Sequence, residues 1–184
     1  MSPSPKLSRA RASVLVLVDL QQRLMDAMPA GVRARTIQNS TILGRTAADL
    51  QIPFIVTRQY PKGLGETVSF PEGAAATVDK TSFSCCRAES FCRSLEQTKR
   101  SQVILAGVET HVCILQTAFD LITSGYQVYV VEDAVCSRTK NNHRNAIERM
   151  ARGGISITCL ESTLFEWLED ARHPHFKRIS QLVK

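Results

Sequence analysis

The segment VILAGVETHVC, residues 103–113, indicates both how this chain folds and where its chemistry lies. An apolar run ends in Gly107, and a polar turn then leads into a helical pattern. Continuous Val, Ile and Leu runs are typical of buried parallel strands. The apolar residues after the turn recur at helical spacing; they are Ile114, Leu115, Ala118, Leu121 and Ile122. The pattern predicts a strand, a turn and a helix, with Cys113 in the first turn of the helix.

That position of Cys113 favours a reactive thiol. Unpaired N–H groups and the positive end of the helix dipole stabilise an anion at a helix N-terminus. The sequence therefore predicts a lowered pKa for Cys113 and an available thiolate. A free cysteine is otherwise a small, inert core residue, so the position of Cys113 needs support from other reactive side chains.

Two charged residues provide that support. The segment SVLVLVD, residues 13–19, is a second apolar strand that ends in Asp19. Open α/β sheets bind their ligands at this carboxyl edge of the strands. Lys80 follows in AATVDKTSFS, another strand-like segment. We expect Asp19, Lys80 and Cys113 to meet at one edge of a sheet.

Strand and helix patterns alternate along the rest of the chain. This alternation predicts one α/β domain over residues 13–184, a three-layer α/β/α sandwich with a mostly parallel, Rossmann-like sheet of about six strands. Residues 1–12 are expected to form a flexible basic tail, and the Gly/Pro-rich residues 61–73 a loop without secondary structure that covers a site. The other predicted elements are helices at 32–50, 88–97 and 138–152, strands at 54–57, 127–132 and 155–158, and a short helix to Trp167 that Ser162 caps.

Composition limits the location and the partners. Six cysteines without a CxxC pair, and no signal peptide, indicate reduced thiols and a cytoplasmic location. The basic N-terminal residues leave mitochondrial import as an alternative. No apolar stretch approaches the roughly 20 residues that span a bilayer, so no membrane partner is expected.

Asp19, Lys80 and Cys113, in this order and within VDLQ, DKTSFS and GVETHVC, resemble the catalytic triad of the isochorismatase-like cysteine hydrolase superfamily. The resemblance extends to VVEDAVCSR and covers nearly the whole chain. TRQYPKGLGET and the C-terminal HPHFKRISQLVK resemble most the small isochorismatase domain-containing proteins. In such a triad, Asp19 is the general base and acid, Cys113 is the nucleophile that forms a thioester, and Lys80 stabilises the thiolate and orients the carboxylate.

The resemblance also predicts how the nucleophile's surroundings are built. It implies a cis peptide between Val108 and Glu109, and an oxyanion hole formed by the backbone N–H groups of Glu109 and Cys113. Leu24 departs from the family, which often has an aromatic residue there. The expected pocket residues are Gln21, Leu24, Tyr60, Phe83 and His111.

The same comparison bears on metal and substrate. The nicotinamidase branch of the superfamily holds a metal with residues between the triad Asp and Lys, whereas the first histidine here, His111, follows both. We therefore expect neither a metal nor a cofactor. An intact Asp, Lys and Cys set favours attack on an amide or related C–N bond of a small molecule.

Two other functions and one assembly state follow from the remaining features. A net charge of +6 leaves a ribonuclease or RNA-associated protein as an alternative, although the scattered basic residues lack interleaved aromatics and make nucleic acid a disfavoured partner. A non-catalytic scaffold that keeps the fold is the other alternative.

The superfamily commonly forms oligomers, so we expect a homo-oligomer with contacts through the loop after Gly63 and the HPHF segment, residues 173–176.

Overall fold

The computed structural model describes residues 7–68 and 73–184, and it places the apolar runs in a parallel sheet. The spatial order of the strands is β3-β2-β1-β4-β5-β6, and all paired neighbours run parallel. In chain order β1 to β6 are Ser13–Val18, Phe54–Gln59, Ala76–Lys80, Gln102–Val108, Gln127–Cys136 and Ser156–Thr158.

Helices cover both faces of this sheet, which confirms the predicted three-layer α/β/α architecture. Alternate residues of a strand point to opposite faces, and β1 shows this directly: Leu15 and Leu17 belong to one core cluster, whereas Val14 and Val16 belong to the other. In chain order α1 to α8 are Gln22–Asp26, Ala30–Asp49, Pro61–Leu64, Glu89–Gln97, Leu115–Thr123, Lys140–Arg152, Leu160–Leu168 and Phe176–Ser180. No helix among the described residues is long and apolar enough to cross a membrane.

The strand order creates a site between β1 and β4. The chain proceeds outward from β1 through β2 to β3, and then returns to β4 on the other side of β1. Such a reversal opens a crevice at the carboxyl ends of the central strands, where α/β proteins bind ligands. Asp19 follows β1, Lys80 ends β3, and Cys113 follows β4.

Several predicted elements differ in detail. Residues 61–73 are not without secondary structure, because α3 forms at their start with Pro61 in its first turn; residues 69–72 lie outside the described residues. Ser162 is not a cap, since α7 already begins at Leu160 and Cys159 holds the N-cap position. Strand β5 continues beyond residue 132 to Cys136.

The described part of the expected N-terminal tail is attached to the domain. The backbone N–H and the hydroxyl of Ser8 both donate to Oε2 of Glu166 at 2.7 Å. The N–H of Arg9 donates to Oε1 of Gln102 at 2.7 Å, and a short 3-10 helix, Ala10–Ala12, leads into β1. Residues 1–6 of that tail lie outside the described residues.

Gly107 lets β4 approach β1 closely just before the site. Its φ is +119°, and a Cβ added there would lie 2.1 Å from the carbonyl oxygen of Val18. We expect Gly107→Ala to lower the free energy of unfolding by about 3 kcal/mol or more, because the clash is with backbone that cannot turn away. Urea unfolding measures this loss.

Gly154 offers a matched control. Its φ is also positive, at +87°, but no atom lies within 4 Å of an added Cβ. Gly154→Ala should therefore cost only the roughly 1–2 kcal/mol of a left-handed backbone. Equal losses for the two variants would contradict the importance of the contact between β1 and β4.

Candidate active site

A buried ion pair joins the ends of β1 and β3. Nζ of Lys80 lies 2.6 Å from Oδ2 of Asp19, and both side chains are fully buried. The two residues come from strands that are not neighbours, because β2 lies between them. Asp19 itself has a left-handed backbone with a φ of +51°, where the chain turns sharply out of β1.

The ammonium group of Lys80 is surrounded by acceptors. Besides Asp19, it contacts Oε1 of Gln59 at 2.6 Å and the carbonyl oxygens of Ser82 and Phe83 at 3.2 Å. Burial opposes the charged form, but the attraction of the Asp19 carboxylate and its hydrogen bond to the ammonium raise the pKa of Lys80. Lys80 is therefore a fixed cation rather than a proton carrier.

The carboxylate of Asp19 is held on its other oxygen by Thr57. The hydroxyl of Thr57 donates to Oδ1 of Asp19 at 2.7 Å. The same hydroxyl oxygen accepts the backbone N–H of Asp19 at 3.3 Å. Each carboxylate oxygen thus has one fixed partner, and the side chain has little freedom to rotate.

Cys113 lies against this carboxylate. It is buried in a π-helical turn, Thr110–Ile114, that directly precedes α5, and its thiol is near enough to Asp19 to feel the charge of the carboxylate. The structure therefore brings together the three residues that the sequence predicted to meet.

The predicted lowering of the Cys113 pKa is wrong. Burial and then the negative charge of Asp19 raise the pKa of this thiol, and the opposing attraction of Lys80 does not compensate. Cys113 is therefore a protonated thiol at rest, near a potential base. Its proton can move to Asp19 as the sulfur attacks, without a preformed thiolate.

The turn between β4 and Cys113 is anchored to the start of α6. The peptide between Val108 and Glu109 is cis, as the resemblance implied. The carboxylate of Glu109 accepts the backbone N–H and the Nε–H of Arg138, each at 3.1 Å. These contacts fix the turn whose N–H groups, on Glu109 and Cys113, are the predicted oxyanion donors.

His111 is held from both sides of its ring. Nδ1 lies 3.0 Å from the hydroxyl of Ser137, and Nε2 lies 3.3 Å from the side-chain amide nitrogen of Asn142. Both ring nitrogens therefore have a polar side-chain partner. His111 thus links the nucleophile turn to α6, and its half-buried ring lies two residues before Cys113.

The other predicted pocket residues differ in exposure. Tyr60 and Phe83 follow β2 and β3 at the same sheet edge and are 54% and 55% exposed. Leu24 is partly buried against the core. Gln21 is fully buried, and its amide donates to the carbonyl oxygens of Gln59 and Gly65 at 3.0 and 2.7 Å. Both amide hydrogens of Gln21 are therefore engaged with the main chain, so Gln21 supports the sheet edge and has no donor left for a ligand.

Sequence reasoning missed three polar residues beside the triad. They are Thr57, Gln59 and Cys85, all buried. Burial, together with Asp19, raises the pKa of Cys85 to about 11. The available signal was the pattern of polar residues at the end of β2, TRQ, which is unusual for a strand that begins as a buried apolar run.

Among the residues that the structure describes, no group of three or more His, Cys, Asp or Glu side chains is arranged to hold a metal.

Comparisons with known proteins agree with this architecture. Residues 13–162 match the family model described as the isochorismatase domain. The chain is 41% identical over 179 residues to isochorismatase domain-containing protein 1 of Danio rerio; the match covers 94% of this chain but only 61% of that relative's length. The solved structure of MAR1 ribonuclease from Caenorhabditis elegans is 36% identical, with a TM-score of 0.89 and coverage of 97% and 92% of the two chains.

A more distant likeness concerns the fold alone. The YcaC gene product of Escherichia coli, described as an octameric hydrolase of unknown specificity, is 23% identical with a TM-score of 0.85. The match covers 98% of this chain and 97% of that one.

The charges around Cys113 predict opposite effects of two substitutions on its alkylation. Asp19→Asn removes a negative charge that raises the Cys113 pKa, so iodoacetamide should modify Cys113 faster than in the wild type at pH 8. Lys80→Met removes the opposing cation and should slow the modification. Peptide mass spectrometry after timed alkylation gives both rates, with Cys159 as the internal reference. A slower reaction in Asp19→Asn would contradict this electrostatic account.

Proposed function

The chain belongs to the isochorismatase family, and on that premise we propose that it is a metal-independent cysteine hydrolase of a small amide or related C–N substrate. Its fold is that of isochorismatase-family hydrolases. The observation that carries the proposal is the buried cluster in which Cys113 lies near Asp19, whose carboxylate contacts Nζ of Lys80 at 2.6 Å. The absence of any histidine between Asp19 and Lys80 supports a site built without a metal.

The first half of the reaction forms a thioester. Sγ of Cys113 attacks the carbonyl carbon while Asp19 takes the thiol proton. The negative oxygen of the tetrahedral intermediate accepts the backbone N–H groups of Glu109 and Cys113. When the C–N bond breaks, Asp19 passes the proton to the leaving amine.

The second half regenerates the thiol. Asp19 takes a proton from a water molecule, the water oxygen attacks the thioester, and the C–S bond breaks to release the acid. The proton on Asp19 returns to the departing sulfur. Throughout both halves Lys80 keeps its proton, because its raised pKa and its acceptors hold the ammonium; it balances the negative charge that moves between Asp19 and Cys113.

Three substitutions test this mechanism. Cys113→Ala should abolish turnover, and Cys113→Ser should nearly do so, since a hydroxyl ionises far less readily than a thiol beside the same base. Asp19→Asn should be equally severe even though it speeds alkylation. Ammonia release from a panel of small primary amides gives the rates, with chelators added in parallel and expected to change nothing.

Cys159→Ala is the matched control, because Cys159 lies at the start of α7 and its thiol contacts Ser162. It should keep full turnover. Turnover that survives Cys113→Ala would rule out the covalent mechanism.

Cleavage of RNA is a second candidate, favoured by one observation. The protein from Caenorhabditis elegans, 36% identical to this chain, bears the name ribonuclease. Incubation with labelled RNA at increasing salt distinguishes the two functions, because RNA binding through phosphates weakens steeply with salt. RNA cleavage that is lost on raising the salt but kept in Cys113→Ala would support the ribonuclease. If the protein shows neither RNA cleavage nor Cys113-dependent amide turnover, the non-catalytic scaffold is the remaining function.

We also propose that the chain forms a homo-oligomer, as the Escherichia coli protein does. An apolar patch supports a contact near the C-terminal HPHF segment: Leu7 and Phe165 are 68% and 40% exposed, and Phe165 packs edge-on against Phe176 with ring centroids 6.0 Å apart. A stable contact needs well over about 1,000 Å² of buried surface.

Light scattering should therefore give a multiple of 20.4 kDa for the wild type. Phe165→Glu places a charge in the contact and should shift the protein towards the 20.4 kDa monomer. A single 20.4 kDa species at micromolar concentration in the wild type would contradict the assembly.

A further inference from the structure

We propose that Thr57 and Gln59, on a strand that carries none of the triad side chains, are positioning residues that hold the general base and the cation of the site in place. The inference rests on the proposed cysteine hydrolase and deepens it. According to this inference, side chains of β2 keep the carboxylate of Asp19 and the ammonium of Lys80 in contact.

The sheet topology makes such a bridge necessary. Asp19 follows β1 and Lys80 ends β3, so the backbone of β2 separates them. In the sheet register Thr57 lies beside Val18, the residue before Asp19, and Gln59 lies beside Lys80. Because residues two apart on a strand share a face, Thr57 and Gln59 present their side chains on the same side.

Arg58, between them, points to the opposite face. Its guanidinium pairs with Asp79 at 2.7 Å and with Glu66 at 2.6 Å, and both partners are exposed. The alternation along β2 therefore separates a surface ion network from the two buried groups that contact the triad.

Thr57 fixes the base through two bonds made by one hydroxyl. Its oxygen accepts the N–H of Asp19 and its hydrogen goes to Oδ1 of the same residue, at 3.3 and 2.7 Å. The same N–H also donates to the carbonyl oxygen of Thr57 at 3.1 Å, so the main chain holds the backbone of Asp19, while the hydroxyl holds the carboxylate. Lys80 occupies Oδ2, so the rotation of the carboxylate that would carry it away from the Cys113 thiol is blocked on both oxygens.

Gln59 fixes the cation in the same way. Its Oε1 accepts from Nζ of Lys80 at 2.6 Å, while its Nε2 donates to the carbonyl oxygen of Thr81 at 2.6 Å. The bond to Thr81 sets the amide orientation, because it requires the nitrogen on that side and therefore the oxygen towards Lys80. Because the Gln59 amide is neutral, it holds the ammonium of Lys80 without adding a second negative charge beside Asp19.

Turnover by a set of variants tests the positioning role. Thr57→Val keeps the shape of the side chain but removes the hydroxyl, and Gln59→Met removes the acceptor. On the fastest amide of the panel we expect kcat to fall about ten- to a hundredfold, the value of a hydrogen bond to a charged group, with little change in KM. Thr57→Ser should recover most of the loss.

Thr163→Val is the matched control for the removal of a buried hydroxyl. Thr163 is fully buried in α7, where its hydroxyl donates to the carbonyl oxygen of Cys159 at 2.9 Å. It should lower the melting temperature at least as much as Thr57→Val but leave kcat unchanged. If Thr163→Val and Thr57→Val reduce kcat equally, or if Thr57→Val turns over like the wild type, the positioning role is overturned.

Alkylation by iodoacetamide provides a readout that needs no substrate. The Thr57 hydroxyl offsets part of the negative charge of the Asp19 carboxylate, which is the charge that raises the pKa of Cys113, so its removal strengthens that effect. The pH profile of Cys113 alkylation should therefore move to higher pH in Thr57→Val, by about half a unit to one unit, and stay in place in Thr57→Ser and Thr163→Val. An unmoved profile in Thr57→Val overturns the inference.

The two proposals fail in different ways. Amide turnover that persists in Cys113→Ala contradicts the cysteine hydrolase itself. Turnover that requires Cys113 but ignores Thr57 and Gln59 contradicts only the positioning role. If no amide of the panel is hydrolysed, the alkylation profile alone decides whether Thr57 acts on the charges of the triad.

Discussion

The fully buried ion pair between Lys80 and Asp19 is the interaction on which the rest of the site depends, because two charges removed from water are stable only with close mutual attraction and further hydrogen bonds. The chain meets this requirement with its backbone as well as its side chains. The loop after β3 turns the carbonyl oxygens of Ser82 and Phe83 towards the ammonium, and β2 adds Gln59. The carboxyl edge of β1, β2 and β3 is therefore one electrostatic unit, and Cys113 enters it from β4 as the only triad residue on the other side of β1.

Much of the fold could be predicted because its signals are local. The apolar runs of β1 and β4 and the spacing of the residues after Cys113 indicate their own secondary structure, and a parallel sheet brings the ends of such strands to one edge. The predicted meeting of Asp19, Lys80 and Cys113 follows from this. The contacts of Thr57 and Gln59 could not be predicted in the same way, because they depend on which strand lies between β1 and β3 and in which register. The contacts of Gln21 with Gln59 and Gly65 could not be predicted for the same reason, because these partners are distant in sequence.

The error in the Cys113 pKa has a similar origin. The start of a helix is visible in sequence, and its dipole favours a thiolate. Burial and the approach of the Asp19 carboxylate are tertiary effects, and both oppose the thiolate. A helix terminus contributes roughly half an elementary charge, screened by its surroundings, whereas Asp19 contributes a full charge close by in a buried site. The balance therefore favours the protonated thiol, although Lys80 lies near enough to reduce the effect.

A protonated nucleophile changes what limits the reactivity of the site. Alkylation and oxidation of a cysteine follow the thiolate fraction, so Cys113 is protected from both while the site is empty. Attack on a carbonyl group does not need a preformed thiolate if the thiol proton leaves during the attack. This transfer requires Asp19 to be aligned with the thiol and a carbonyl carbon to be within reach of the sulfur. The oxyanion donors of the turn would stabilise only the charge that forms after such an attack. The Cys113 thiol therefore becomes reactive only when a carbonyl group is correctly placed. Thr57 and Lys80 hold Asp19 rigidly, which keeps the base in the position that this proton transfer requires.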